Sequence, residues 1–327
     1  MPQFADTSKT YLAIGVQTDD STVQSALTKL RTTGSNLQFQ ASNVQSNEIR
    51  EDRNVTDVIR VTSEVSGGFD FELSYDTFNT IFLALLGRNT WTGTGTIASP
   101  FTAVNGVDKT FLTFERKFEQ GAVDSYEYFV GCEVDAMTLN FNASEIVTGN
   151  CTVMGREAFQ ATSSLAGTSG PLDSNNNRVY NTVRMVNHLR EGGNAPGDNI
   201  MNTVQALTMN ITNNKRMSRA IGIEGPASIG DGQFVVTGTL TQYFQDNALY
   251  NKFLNDTVTS LYIEFDDLSN TGNGNRIRFN MPRVVYTNVA REIPGNNQDI
   301  TVQLDYQAIY DVSIDGTLQV QRIDAAS

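Results

Sequence analysis

The same series of short motifs occurs twice, in the same order, along this chain of 327 residues. A strand-like segment and a helix-like segment, residues 69–73 and 76–86, recur as residues 236–242 and 246–254. Three further matches pair residues 22–34 with 182–193, 36–50 with 202–216, and 109–115 with 259–265. Duplication of one unit is typical of quasi-symmetric assemblies, so the series favours a structural component over an enzyme.

Apolar and polar residues alternate with a period of two in several segments. Phe69, Phe71 and Leu73 alternate with acidic residues, and the segment 302–308 alternates in the same way. These segments are rich in Thr, Val, Phe and Tyr, and Gly, Asn and Asp cluster between them. This pattern predicts antiparallel strands joined by turns and hence a mainly β fold.

One helix is predicted in each copy. Residues 76–86 place four apolar side chains on one helical face, with Asp76 or Ser74 as the N-cap and Gly87 at the C-terminal end. The second helix is predicted over residues 246–254. The fold class is therefore mainly β of the α+β kind: two tandem β-sandwich or barrel domains, each with one flanking helix.

The matched segments and the low-complexity stretches define the expected domain organisation. We predict an N-terminal arm over residues 1–20, a first unit over 21–158 with an insertion at 89–106, a linker over 159–180, a second unit over 181–315 and a C-terminal tail over 316–327.

Charge and composition exclude several classes of protein. The net charge of −13 disfavours nucleic-acid binding, because such binding needs a basic surface to displace counterions. The longest apolar run, residues 81–86, is far shorter than a membrane span, and we expect no secretory leader. Cys132 and Cys151 are expected to be buried free thiols, although a disulfide bond between neighbouring strands stays possible.

The inventory of catalytic residues is small. His188 is the one histidine, and no nucleophile is placed beside it by the sequence. The carboxylates of Glu264, Asp266 and Asp267 lack the spacing of a calcium loop, and the glycines of residues 92–95 lack the context of a phosphate loop. We therefore expect no enzymatic activity, no metal site and no cofactor.

Basic residues cluster at equivalent places in the two copies. The first cluster is Arg50, Arg53 and Arg60, and the second is Lys215, Arg216 and Arg219. We predict that both clusters contact acidic patches on a neighbouring subunit. The alternative, solvated hairpin tips without a partner, stays open.

Several segments together resemble the major tail tube proteins of long-tailed, siphovirus-type bacteriophages. The similar segments are residues 64–73, 235–241, 249–253, 261–265, 276–282 and 299–305. The resemblance implies a β-sandwich with a flanking helix, whose inner sheet joins its neighbours around a ring of six such domains. A chain with two domains would close that ring as a homotrimer that looks hexameric.

The resemblance also implies a location and partners. The protein would be assembled in the host cytoplasm and belong to the virion tail, with further copies of itself, tape measure protein, tail terminator and distal tail proteins as partners. Viral DNA would pass through the tube without specific binding, and no membrane is involved. Lumen-facing residues are expected to be Asp70, Glu72, Asp135, Gln205 and Gln242. The alternatives are an Hcp-like secretion tube, a baseplate ring or a capsid decoration protein.

Overall fold

The computed structural model describes residues 9–119, 124–165, 179–184, 189–192, 201–267, 274–291, 293 and 295–325. Within these residues the chain is mainly β, as predicted. In the N-terminal half (9–165), the elements are β1 (Tyr11–Val16), β2 (Thr28–Leu30), β3 (Thr32–Ser35), β4 (Gln38–Gln45), β5 (Val58–Glu72), α1 (Asn79–Leu86), β6 (Phe101–Val104), β7 (Leu112–Phe118), β8 (Ser125–Asn142), β9 (Thr148–Gly155) and β10 (Glu157–Ala161).

The C-terminal half (179–325) begins with a short 3-10 helix at Thr182–Arg184. Its further elements are β11 (Arg190–Glu191), β12 (Val204–Thr212), β13 (Arg216–Ser218), β14 (Ser228–Gly230), β15 (Val235–Tyr243), α2 (Ala248–Leu254), β16 (Thr259–Asp266), β17 (Arg276–Arg291), β18 (Thr301–Ala308) and β19 (Gln319–Ile323).

Strand pairing in the N-terminal half is antiparallel throughout. Strands β3 and β4 pair with β5, β5 pairs with β9, and β9 pairs with the C-terminal part of β8. The N-terminal part of β8 turns away at Gly131, whose φ of 62° belongs to the left-handed region. That part pairs with β7 on one side and β10 on the other, and β1 pairs with β7 and β2.

The C-terminal half pairs its strands in a corresponding order. Strand β12 pairs with β15, β15 with β18, and β18 with the C-terminal part of β17. The N-terminal part of β17 lies between β16 and β19, and β11 pairs with β16. In both halves the helix follows the second strand of this order, since α1 follows β5 and α2 follows β15.

A direct pairing between β8 and β12 joins the two halves. The result is one large antiparallel sheet in the order β3/β4–β5–β9–β8–β12–β15–β18–β17, which we call the main sheet. One face of the main sheet packs on a core of buried residues that extends through both halves. In that core Phe82 of α1 contacts Phe279 of β17, with ring centroids 5.8 Å apart.

The first helix is shorter than predicted. It begins at Asn79, because Asp76 has a φ of 68° that no right-handed helix contains, and neither predicted N-cap side chain caps it. The predicted end is confirmed, since Gly87 adopts the left-handed conformation and its N–H bonds to the last turn.

Parts of the expected arm, insertion, linker and tail are strands where the structure describes them. Part of the expected arm, Tyr11–Val16, is strand β1, with Leu12 and Ile14 buried. Part of the expected tail, Gln319–Ile323, is strand β19 between β17 and β6, and β6 belongs to the expected insertion. The expected linker begins inside β10 and ends near the buried Tyr180, and residues 166–178 lie outside the described part. Strands β1, β6 and β19 each bury apolar side chains, which favours their place in the sheet.

Candidate functional site: the outward face of the main sheet

The second face of the main sheet points away from the core. Burial alternates along each central strand, so every other residue lies on this outward face. Its residues on β5, β9, β8, β12, β15 and β18 are Thr62, Glu64, Ser66, Asp70, Glu72, Thr148, Asn150, Thr152, Met154, Ala136, Thr138, Asn140, Asn142, Ala206, Thr208, Asn210, Thr212, Val235, Thr237, Thr239, Thr241, Thr301, Gln303, Asp305 and Gln307. Hydroxyl and amide groups dominate this set, and its charged members are all acidic.

Side chains on this face are hydrogen-bonded across neighbouring strands. Asn150 donates its amide N–H to Asp70 Oδ1 at 2.6 Å between β9 and β5. Thr138 donates its hydroxyl to Asn210 Oδ1 at 2.9 Å, across the junction between β8 and β12. A third such bond, from Asn288 to Asp305 at 3.0 Å, links β17 and β18. The polar face is therefore ordered by its own contacts.

Two of the five predicted lumen residues lie in the regular part of this face. Asp70 is exposed and Glu72 is half-buried, both on β5. The other three lie at its irregular points: Asp135 falls in a bulge of β8, Gln205 in a bulge of β12, and Gln242 near the end of β15. Asp135 Oδ1 accepts the backbone N–H of Lys215 at 2.7 Å.

Bulges explain the difference between the predicted and the observed set. A bulge inserts one residue and reverses the alternation beyond it, which a strict period of two cannot follow. Gln205 consequently lines a cavity of about 450 Å³ at the end of the β8–β12 junction. Glu64 and Asp305 were not predicted, although the alternation at 302–308 was a signal for Asp305.

The first basic cluster lies on the hairpin formed by β4 and β5. Arg50 bonds Asp52 through two nitrogens at 2.9 and 2.8 Å, and Arg53 occupies an exposed turn with a φ of 61°. Arg60 pairs with Glu224 of the C-terminal half at 3.3 Å. The hairpin cation closest to the sheet therefore contacts the other half of the same chain.

The second basic cluster is divided between the interior and the surface. Lys215 is almost buried, with its ammonium 2.6 Å from Glu133 and also bonded to Asp231. Burial opposes the charge of Lys215, but the hydrogen bonds to both carboxylates outweigh it and raise its pKa. Arg216 is exposed on β13, and Arg219 pairs with Glu64 of β5. Arg60 and Arg219 therefore lie at one contact between the halves. The charge of Lys215 is instead neutralised by Glu133 and Asp231.

A buried glutamate occupies a matching position in each half. Glu115 of β7 accepts hydrogen bonds from the hydroxyls of Tyr11 and Tyr128. Glu264 of β16 lies among guanidinium groups instead, with Arg278 at 3.2 Å, Arg276 at 3.4 Å and Arg190 at 3.6 Å. Both carboxylates are fully buried and hydrogen-bonded or ion-paired within the chain, which indicates a structural role.

The two cysteines lie in the core and not on the outward face. Cys132 and Cys151 are buried free thiols, and burial raises the pKa of both. His188 lies outside the described residues. Across the described ranges there is no group of three or more His, Cys, Asp or Glu side chains that could hold a metal ion.

Comparison with known proteins gives a match over most of the chain. Residues 7–308 match the family model described as phage tail tube protein. No curated protein matches the sequence. No helix in the described part of the chain is long and apolar enough to cross a membrane.

Proposed function

The chain belongs to the phage tail tube protein family, and from this premise we propose that it forms rings that stack into a tube conducting viral DNA. Its role in the virion tail is structural and not enzymatic. The single observation that carries this proposal is the outward face of the main sheet, whose charged residues are all acidic. We propose that this face lines the channel.

The charge of the outward face suits a channel for DNA. Cations on the channel wall would bind phosphates and release counterions, which would hold the DNA in place. Hydroxyl and amide groups carry no net charge, and the carboxylates of Asp70, Glu72 and Asp305 repel a polyanion. DNA would therefore pass without specific binding.

We further propose that each chain supplies two copies of one tube unit. In support, each half has the same succession of pairings, a helix at the same place and a buried glutamate in the matching strand. Six units around a ring then require three chains. Such a trimer would be pseudo-hexameric, because its two kinds of unit alternate.

The remaining partners are those that the resemblance to tail tube proteins implies. The proposal includes a tape measure protein inside the tube during assembly, a tail terminator at one end and distal tail proteins at the other. Assembly would take place in the host cytoplasm.

The proposal is tested by electron microscopy and native mass measurement of the purified chain. We expect rings or tubes with a central hole, and a smallest ring with three times the 35.9 kDa mass of one chain. A chain that stays monomeric at every concentration would overturn the tube assignment. A ring of six chains would overturn the two-unit count and leave the tube assignment intact.

A further inference from the structure

The junction between the two halves shows how one unit extends the sheet of the next. Residues Ala136–Asn142 of β8 pair with residues 206–212 of β12, in continuous antiparallel register. The other edge of the same part of β8 pairs with β9. At this point the main sheet passes from one half to the other without a free edge.

The two ends of the main sheet lack such a junction within one chain. Among the described residues, β3 pairs with β5 alone, and the part of β17 from Val285 to Arg291 pairs with β18 alone. Unpaired strand edges expose backbone N–H and C=O groups that readily accept another strand. Within the described part of the chain, each end of the main sheet therefore offers an edge to a strand from a second molecule.

These two ends are the counterparts of the two strands that meet at the junction. The N-terminal part of β17 pairs with β16 and β19 outside the main sheet, as the N-terminal part of β8 pairs with β7 and β10. Within the main sheet the C-terminal part of β17 pairs with β18, as that of β8 pairs with β9. Strand β3 precedes and pairs with β5, as β12 precedes and pairs with β15. The missing partner of β17 thus corresponds to β3, and the missing partner of β3 corresponds to β17.

We propose that β17 of one copy pairs antiparallel with β3 of the next copy, so that the subunit interface repeats the β8–β12 junction. This inference rests on the proposed ring assembly and specifies its partner surface. Closing every chain onto the next in this way leaves the main sheet without an edge around the ring.

The register of the proposed pairing follows from matched buried residues. Phe71 and Leu240 are the last buried residues of β5 and β15. From Phe71, successive pairings lead to Gly149 and then to Leu139 of β8. From Leu240, the corresponding pairings lead to Leu304 and then Val289 of β17. Val289 is therefore the counterpart of Leu139, and Ala290 is the counterpart of Asn140.

The same matching fixes the partner strand. Phe71 pairs with Thr32 of β3, as Leu240 pairs with Leu207 of β12. The next paired residue after Thr32 is Gly34, because Thr33 lies in a bulge, and the next residue after Leu207 is Thr208. Gly34 is therefore the counterpart of Thr208. Asn140 pairs with Thr208 within one chain. Ala290 should therefore pair with Gly34 of the next copy.

The hairpin of β4 and β5 provides independent support for a neighbour at this edge. In the C-terminal half the corresponding segment, residues 213–234, lies against β5, where Ser63 donates its N–H to the Glu224 carbonyl at 3.1 Å. Among the described residues, β4 and the outer part of β5 have no such cover: every residue of β4 is exposed, and Val58 and Ile59 are 59% and 54% exposed. In the ring the exposed apolar side chains of this hairpin, such as Val58 and Ile59, would lie on the C-terminal half of the adjacent copy.

Paired cysteines test the interface directly. The variant G34C/A290C should be joined into covalent dimers and closed trimers by a short bifunctional thiol reagent, because a Cβ at Gly34 has its nearest heavy atom 3.6 Å away and Ala290 is exposed. The control T138C/N210C spans the internal junction and should give an internally bridged single chain. In the variant Q38C/A290C the first cysteine lies about 13 Å further along the strand, so the reagent should give no cross-linked dimers or trimers.

The outcomes separate this inference from the proposed function. One outcome would overturn the β17–β3 pairing and leave the tube assignment standing. In that outcome tubes form normally and T138C/N210C is cross-linked within one chain, but G34C/A290C gives no cross-linked dimers or trimers. Rings that never form would overturn both. If the cysteine variants do not fold, hydrogen exchange of the unmodified protein decides. Within residues 33–38 and 285–291, the amides that point away from β5 and β18 should be protected in the tube only, because the other amides already bond to those strands in the monomer. The amides of residues 136–142 should be protected in both states. Equal exchange of 285–291 in tube and monomer would overturn the pairing.

Discussion

At the scale of single residues, stability depends on a few positions where close backbone contact or a buried charge makes substitution costly. Gly238 of β15 lies beside the carbonyl of Thr208. That carbonyl oxygen accepts a hydrogen bond from the hydroxyl of Tyr306 at 2.9 Å. Lys215 and Glu133 form an ion pair that is almost closed to solvent. Gly238 lies where β12, β15 and β18 approach one another, and the ion pair links β8 to the segment that precedes β13.

Replacement of Gly238 by Ala should destabilise the protein by at least about 2 kcal/mol. The added Cβ would overlap the Thr208 carbonyl oxygen and lie 2.6 Å from the Tyr306 hydroxyl, so the backbone of two strands must separate. Chemical denaturation measures the change. Gly295→Ala is the matched control, since a Cβ there has no heavy atom within 4 Å. An equal, small effect of both substitutions would show that the strands adapt freely.

Replacement of Lys215 by Met should cost about 3–5 kcal/mol at neutral pH, because it leaves Glu133 buried without its cation. Burial already raises the pKa of Glu133 despite the Lys215 bond, and loss of the ammonium raises it further. A carboxyl group whose pKa is higher in the folded than in the unfolded protein destabilises the fold least at a pH below its unfolded pKa of about 4.3. Its destabilising effect grows as the pH rises above that value.

The loss in Lys215→Met should therefore be smaller at pH 4.5 than at pH 7.5 when unfolding free energies are compared. Arg216→Met, at an exposed neighbouring position, should change stability by less than about 0.5 kcal/mol at either pH. A pH-independent loss in Lys215→Met would place the cost in packing and not in the charge of Glu133.

Buried tyrosines predict a second pH dependence, at the alkaline end. Burial raises the pKa of Tyr180 and Tyr306 well above the ordinary value of about 10. Above pH 10 the unfolded chain releases these protons and the folded chain keeps them, so stability falls by about 1.4 kcal/mol per pH unit for each tyrosine. Tyr306→Phe should be less stable at pH 8 and lose stability less steeply between pH 10 and 11. An unchanged slope would contradict this origin.

At the scale of elements, strands distant in sequence pair with one another outside the main sheet. Strand β1 lies between β2 and β7, and β19 lies between β17 and β6. The side chains of Leu318, Val320 and Ile323 are buried by this arrangement. The C-terminal segment is thus part of the core and belongs to the fold of both halves.

Truncation before β19, at residue 316, should prevent stable folding. It removes the backbone partner of β17 and β6 and leaves apolar residues of both halves exposed, at roughly 1.5–3 kcal/mol for each large side chain lost. Soluble yield and thermal unfolding report the effect. Removal of residues 326 and 327 alone is the control and should leave both unchanged. A truncated chain with the unfolding temperature of the full chain would show that β19 is dispensable.

At the scale of the whole molecule, the outward face should govern passage of DNA without affecting assembly. The double variant Asp70→Lys and Glu72→Lys should form tubes of normal appearance and slow DNA release severalfold, because cations on the channel wall bind phosphate. The slowing should decrease at high salt. Asp108→Lys with Glu157→Lys changes the net charge equally at exposed positions outside this face and serves as the control. Equal release by both variants would place Asp70 and Glu72 away from the channel.

The sequence by itself determined the local features of this protein. Alternation of apolar residues predicted the strands, Gly87 marked the end of the first helix, and the matched motifs predicted two helices of similar placement. These features depend on neighbours within a few residues, which the order of amino acids specifies directly. The outward positions of Asp70 and Glu72 followed from the same alternation.

Only the tertiary structure decided which strands meet. It placed β1 and β19 in the core, paired β8 with β12, buried Lys215 against Glu133 and displaced Asp135 and Gln205 into bulges. Each of these depends on a contact between residues far apart in the chain, and alternation within one strand is the same whichever partner it receives. The partner is selected by packing of the common core, where both halves bury their apolar faces together.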